Sequence, residues 1–409
     1  MFPQVKLVNA RIAVDSKTAI RADVEIKDGH IARIAPAVDS PSSSNIDLDG
    51  YLVLPGLINA HDHLEFNLFP RLGDGPYKNS REWADDIYQP ERSPLREHRS
   101  VPRPVRLWWG GLKNLLSGVT TVCHHNPYDE TLGEDFPVQV VKRYGWAHSL
   151  DFEDDPRRAL ASTPAGAPFI IHVGEGTDTR SRDEIFVLDR LGALDGRTVL
   201  VHGVGLNGDG HALRRRRGAA LVWCPTSNRF MLGATLKAHA MSSHEDIALG
   251  SDSALTAKGD LLDEVRSAHQ EEQVGADAIY GMVTKSASAI LRLRGGQGTV
   301  RSGAVANLIA LPSNGSTPAE TLVEADVGSI ELVMVSGRPH LLSAEMAQRW
   351  PEIARKGMEW IRIGGTDRLV RAPVRRLLQT ARNSLSGNIR LAGKELSASI
   401  TGSQAFRSW

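Results

Sequence analysis

The sequence predicts an α/β fold, a parallel barrel lying between two β-rich chain ends. From 57 to about 297, short apolar runs of strand length alternate with stretches of helical spacing, the pattern of parallel strands joined by helices. On either side of that stretch the runs read as strands instead. Several of the central runs also stop at a histidine or an aspartate, so chemistry-bearing side chains recur at one kind of position. At 409 residues the chain holds one large barrel with a smaller accessory unit, or two ordinary domains.

The first strands are Val5-Lys6-Leu7-Val8, Ala22-Asp23-Val24-Glu25-Ile26 and His30-Ile31-Ala32-Arg33-Ile34, with Asp28-Gly29 as a hairpin turn between the last two. Residues 36–45 form a Ser/Pro-rich loop. So short a β unit buries no core alone and needs partner strands. Candidates lie far down the chain, at Gly298-Thr299-Val300, at 306–311 and at 331–338.

Tyr51 to Leu54 is an apolar strand that Pro55-Gly56 breaks, and a second run, Leu57 to Ala60, leads into His61-Asp62-His63. On an extended strand, residues i and i+2 share a side, so both imidazoles reach one ion while Asp62 points away. With 14 histidines in the chain, chance supplies about 0.5 such pairs, so the spacing alone is weak. Its place at the end of a buried strand matters more, because imidazole nitrogens there need partners.

Leu54-Pro-Gly-Leu-Ile-Asn-Ala-His-Asp-His63 resembles the opening metal motif of the amidohydrolase superfamily, metal-dependent hydrolases on a TIM-type (β/α)8 barrel. The resemblance implies that residues 57–297 form the hydrolase barrel. It also implies that 1–56 and 298–409 together build a small β-sandwich with a C-terminal extension. It further calls for a histidine after a fifth strand, another after a sixth and an aspartate after an eighth.

After a long excursion, 64–116, carrying Trp83, Trp108 and Trp109, the next strand is 118–123. Val140-Val141-Lys142 with Trp146 to Leu150 suggests another, and 168–172, 198–202, 219–224 and 247–252 follow. That makes seven strands. Between Leu150 and Pro168 there is little room, so the fourth is very short or the barrel is distorted there. Residues 260–273 and 275–293 have helical spacing, as do 344–360 and 369–385, while the tail from Ser386 is polar. Asn307 stands where the family usually has aspartate, at a position that is structural there.

His172, His202 and Asp252 stand where the resemblance requires them, at ends that a barrel gathers on one face. It implies His61, His63, His172 and Asp252 as ligands of one metal per chain. Zinc suits that donor set, with iron(II) as the competitor. His172-x-x-Glu175 and Cys224-Pro-Thr-Ser-Asn228 resemble the deaminase and chlorohydrolase branch. There Glu175 would shuttle a proton to a ring nitrogen, His202 would polarise the attacked centre and Asp252 would take the proton of water. Ser227 and Asn228 either line the pocket or merely shape a turn. Of the adjacent pair His124-His125 only one side chain faces inward, and His125 is the candidate for substrate contact. The expected activity is hydrolysis of a non-peptide C–N bond, by deamination or dechlorination of an amino-heterocycle or amidine-like substrate. A binuclear cyclic amide or imide hydrolase is the alternative, although it needs a lysine after the fourth strand, and Lys142 sits early for that. A catalytically silent scaffold is the non-enzymatic alternative.

Charge is balanced, 48 basic against 48 acidic residues, so no nucleic-acid or acidic-surface partner is expected, while the resemblance implies a small-molecule substrate. The run Arg214 to Arg217 reads as a solvated helix face. Two cysteines give no disulfide framework. Met1-Phe2-Pro3-Gln4 lacks a charged or apolar leader and no 18-residue apolar run occurs in the sequence, so a cytoplasmic protein without a membrane span is expected, with a homo-oligomer compatible.

Overall fold

The computed structural model describes residues 4–37, 45–152, 155–237 and 245–398. The N-terminal segment supplies β1 (Val5–Ala13), β2 (Ala19–Lys27), β3 (His30–Pro36), β4 (Asn45–Asp47) and β5 (Tyr51–Pro55). The central segment supplies β6 (Leu57–Asp62), β7 (Val119–His124), β8 (Gln139–Val140), β9 (Gly145–Ser149), β10 (Phe169–Val173), β11 (Thr198–His202), β12 (Ala220–Trp223) and β13 (Ile247–Leu249). Then come β14 (Leu308–Pro312), β15 (Leu332–Val335), β16 (Arg338–Ser343), β17 (Glu359–Ile363), β18 (Thr366–Val370), β19 (Arg390–Leu391) and β20 (Lys394–Ala398).

The two chain ends share one twelve-stranded sheet, in which β5 pairs antiparallel with β14 and parallel with β1. Register is set by burial on both faces. Leu52, Leu54, Ile309 and Val333 face the central segment, and Leu7, Val24, Leu308, Leu332 and Met334 pack on the other side. The expected strand at 298–300 is absent, since Gly298 lies in a turn with positive φ. Nor is 344–360 one helix. Two short helices, Ala344–Arg349 and Glu352–Arg355, precede β17, and among the described residues only Val374–Arg382 is helical beyond β18. Gly364 and Gly365, both at positive φ, form the two-residue turn that lets β17 and β18 pair, which a helical reading of that stretch overlooks.

The central strands form two parallel sheets in chain order, β6-β7-β8 and β9-β10-β11-β12-β13. Among the described residues, eight strands therefore replace the expected seven. What reads as one interrupted strand is β8 and β9, only four residues apart, with no helix between them. The stretch after β9 holds a helix, Pro156–Ser162, where room for a strand was lacking. The first and last strands meet: Ser251 and Asp252 donate backbone hydrogen bonds to His61 O at 3.0 and 3.1 Å. Ile58, Ala60, Cys123, Ile170, Val199, Val201, Val222 and Ala248 gather into one apolar cluster between these strands. No helix among the described residues is long and apolar enough to cross a membrane.

Candidate active site

β6 makes its histidines available through an irregularity. Its pairing with β7 shifts between Asn59 and Asp62, and such a bulge re-aims side chains. Ile58 and Ala60 join the inner cluster, while Asn59 and Asp62 turn to the helix Arg103–Leu116. The rings of His61 and His63 stand 4.9 Å apart at 90°, with their Nε2 atoms 3.7 and 3.8 Å from Asp252 Oδ1. His172, on β10, donates Nδ1–H to His148 O at 2.7 Å, so its lone pair is on Nε2, which lies 3.3 Å from His61 Nε2. Two imidazole nitrogens so close are stable only around a shared proton or cation.

Burial keeps His61, His63 and His172 below the usual histidine range, the last two well below it, so their rings are neutral, the ligand form. Burial alone would raise the Asp252 carboxyl, but His61, His202 and His63 outweigh it and hold it well below the carboxylate range. Ser227 Oγ and Thr256 Oγ1 donate to Asp252 Oδ2 at 2.6 and 3.1 Å, leaving Oδ1 for the histidines. This donor set of imidazoles and one carboxylate fits a divalent metal ion, and His61, His63 and Asp252 already converge as one group.

Beside that centre, His202 ends β11 and Asp252 follows β13, both with positive φ, 75° and 50°. Non-glycine residues held there carry backbone strain, which concentrates at functional sites. Asn228 Oδ1 accepts His202 Nδ1–H at 2.8 Å. The other nitrogen, Nε2, then faces Glu175 Oε1 at 3.1 Å. Burial raises the Glu175 carboxyl above its ordinary value, partly offset by His202. Ser227 and Asn228 thus hold Asp252 and His202. They do not line the cavity above.

That cavity, about 640 Å3, has His63, His172, Glu175 and Asp252 on its floor and Phe66, Phe69, Trp83, Tyr88 and Phe152 in its walls. Most of its roof is the 64–116 excursion, stitched to the loop that carries Glu175. Ser80 N–H donates to Glu175 O at 3.0 Å, and Asn79 Nδ2 donates to Asp178 at 2.7 Å. His148 also lines it, whereas His125 is wholly buried and does not. His124 is also fully buried, its Nε2 3.5 Å from Glu65 Oε2.

A polar cluster behind β6 escapes sequence reasoning. Lys113 Nζ lies 3.0 Å from Asp62 Oδ2 and donates to Ser251 Oγ at 2.9 Å, with Asn59 and Asn114 completing the shell and every member buried. It ties the helix Arg103–Leu116, the metal-motif strand and the segment before Asp252 together. The available sequence clue was a lysine within the apolar run Trp108 to Leu116. The lysine required by the binuclear alternative is missing from β9, which reads Gly145-Trp-Ala-His-Ser149, and Lys142 is exposed.

Strand-end imidazoles and a carboxylate at the floor of a cavity make this an α/β protein whose mixed nitrogen–oxygen donors could hold a metal ion. Residues 159–339 match the model of the amidohydrolase family. The chain's relatives include the 5-methylthioadenosine/S-adenosylhomocysteine deaminase of Pyrococcus furiosus, 24% identical, covering 81% of this chain and 93% of that protein. The protein of that name from Saccharophagus degradans is 26% identical, with 70% and 77% covered. Among solved structures, an adenosine deaminase from Xanthomonas campestris with bound zinc superposes with TM-score 0.67 at 16% identity, covering 93% of this chain and 97% of that one. Zinc-complexed atrazine chlorohydrolase from Arthrobacter aurescens reaches 0.69 at 16% identity, with 93% and 99% covered.

Proposed function

We propose that the protein is a hydrolase that replaces an exocyclic amino or chloro group on a nitrogen heterocycle, deamination being the favoured reaction. The observation that carries this is the Glu175–His202 contact at 3.1 Å, set beside the convergent donors, with Glu175 lining the cavity. In this reading residues 57–297 close into one eight-stranded barrel. Residues 1–56 and 298–409 form the composite β unit beside it, supported by the sheet they share.

His61, His63, His172 and Asp252 would hold one zinc ion, with iron(II) as the alternative. When bound, such an ion supplies Lewis acidity and makes water acidic enough to attack near neutral pH. The chain's own groups do the rest. Asp252 accepts a proton from the attacking water. His202, its tautomer fixed by Asn228, orients the attacked carbon's substituents through Nε2. Glu175, kept protonated to higher pH by burial, carries the proton to nitrogen, so that the C–N bond breaks with ammonia as leaving group. The aromatic walls exclude water and suit the faces of a flat ring.

A panel of aminopurine nucleosides, amino-triazines and chloro-triazines, assayed for ammonia and chloride release, tests this reading. Release of ammonia from at least one purine or triazine is expected from the zinc-loaded protein. Silence across the whole panel from a metal-replete, folded protein would defeat it.

A further inference from the structure

The geometry points to His125 as a further metal-ligating residue of this centre, through Nδ1. This rests on the metal reading above and extends it from four protein donors to five.

His125 follows β7, whose end no strand-end motif marks as a ligand position. Its backbone N–H donates to Asp62 O at 3.0 Å, which locks it beside the His61–His63 motif. Its Nε2 lies 3.1 Å from Ala147 O, a pure acceptor, so the ring proton sits on Nε2 and Nδ1 carries a lone pair. That Nδ1 is buried with no hydrogen-bond partner. Native interiors rarely leave such an atom unsatisfied, and an unfilled ligand position is one reason to find it so.

The surroundings supply the position. The His125 ring centroid lies 4.3 Å from that of His172, 4.9 Å from His61 and 5.4 Å from His63. One ring nitrogen from each of His61, His125 and His172 falls within 4.8 Å of the others. This second triad shares His61 with the triad of His61, His63 and Asp252. His125 is fully buried and absent from the cavity lining, which leaves it little access to substrate. Hydrogen-bonding of Nε2 to a backbone carbonyl is also the arrangement that orients metal-bound imidazoles generally.

The test is ligand counting by X-ray absorption on cobalt- and zinc-loaded protein, with metal affinity measured by competition with a chelating dye. Wild type should show four imidazoles per ion. His125→Phe keeps the ring's bulk against Trp146, and it should show three and bind the ion at least about 10-fold more weakly. His125→Asn serves as a second variant if the first is unstable. Unchanged imidazole count and affinity in a folded variant would make His125 a packed core histidine and overturn the inference, leaving the four-donor centre intact. A wild-type protein that takes up no ion would overturn the four-donor reading as well, so the two failures are distinct.

Discussion

Glu175 and His202 face each other at 3.1 Å, and Asn228 fixes the other nitrogen of the imidazole. Glutamine in place of Glu175 keeps the shape and removes the transferable proton. Glu175→Gln should therefore fold, retain full metal content and lose turnover by roughly 10²–10⁴-fold, as expected when a general acid–base group is removed. Substrates whose leaving group needs little protonation should suffer less, and one limb of the pH–rate profile should vanish. His148→Ala is the contrast. Its carbonyl, not its ring, anchors His172, so most turnover should remain, and steady-state kinetics on both variants decides the matter. Equal losses in the two variants would remove the special role of Glu175.

Between strands, the site depends on how closely β6 and the end of β13 approach. Gly250 makes that approach possible, since a Cβ there would lie 2.7 Å from His61 Cβ and 3.0 Å from its backbone nitrogen. Backbone cannot swing aside as a side-chain tip can. Gly250→Ala should cost about 1–3 kcal/mol and displace His61, so thermal denaturation and zinc titration should both register it. A variant with wild-type melting and affinity would show the two strands free to separate. Such strand ends were legible in the sequence because an apolar run stopping at His172, His202 or Asp252 is a local pattern. β8 was not legible as a strand separate from β9, since two residues carry no period. The Asp62–Lys113–Ser251 cluster was hidden for another reason. Its members are distant in sequence, and a buried charge is recognised only by its partner. Asn228 was visible as a motif residue, but whether it met substrate or His202 depended on a side chain from another strand.

Across the whole molecule, stability should carry the mark of a carboxyl buried for architecture. Glu264 is fully buried on the helix Leu261–Arg266, where Thr226 N–H donates to it at 2.9 Å and the Thr226 hydroxyl bonds it too. It thereby anchors the start of Pro225–Leu232, the helix that presents Ser227 and Asn228 to Asp252 and His202. Burial pushes its carboxyl from 4.5 up to about 8. The unfolded chain has lost its proton above pH 4.5, while the folded chain keeps it to about 8. Within that window the native state binds more protons, so stability falls as pH rises, by about 1.4 kcal/mol per unit for one such group. Below the window both states are protonated and the slope disappears. Glu264→Gln is uncharged at every pH and keeps a carbonyl for Thr226 N–H, so it should match wild type near pH 4.5 and exceed it progressively toward pH 8. Denaturant melts of both proteins, stripped of metal and compared pH by pH, isolate this difference from metal binding. A difference that stays flat from pH 4.5 to 8 would mean that Glu264 ionises in the folded protein as it does in water. The helix behind the site would then be held by a carboxylate instead of a neutral acid.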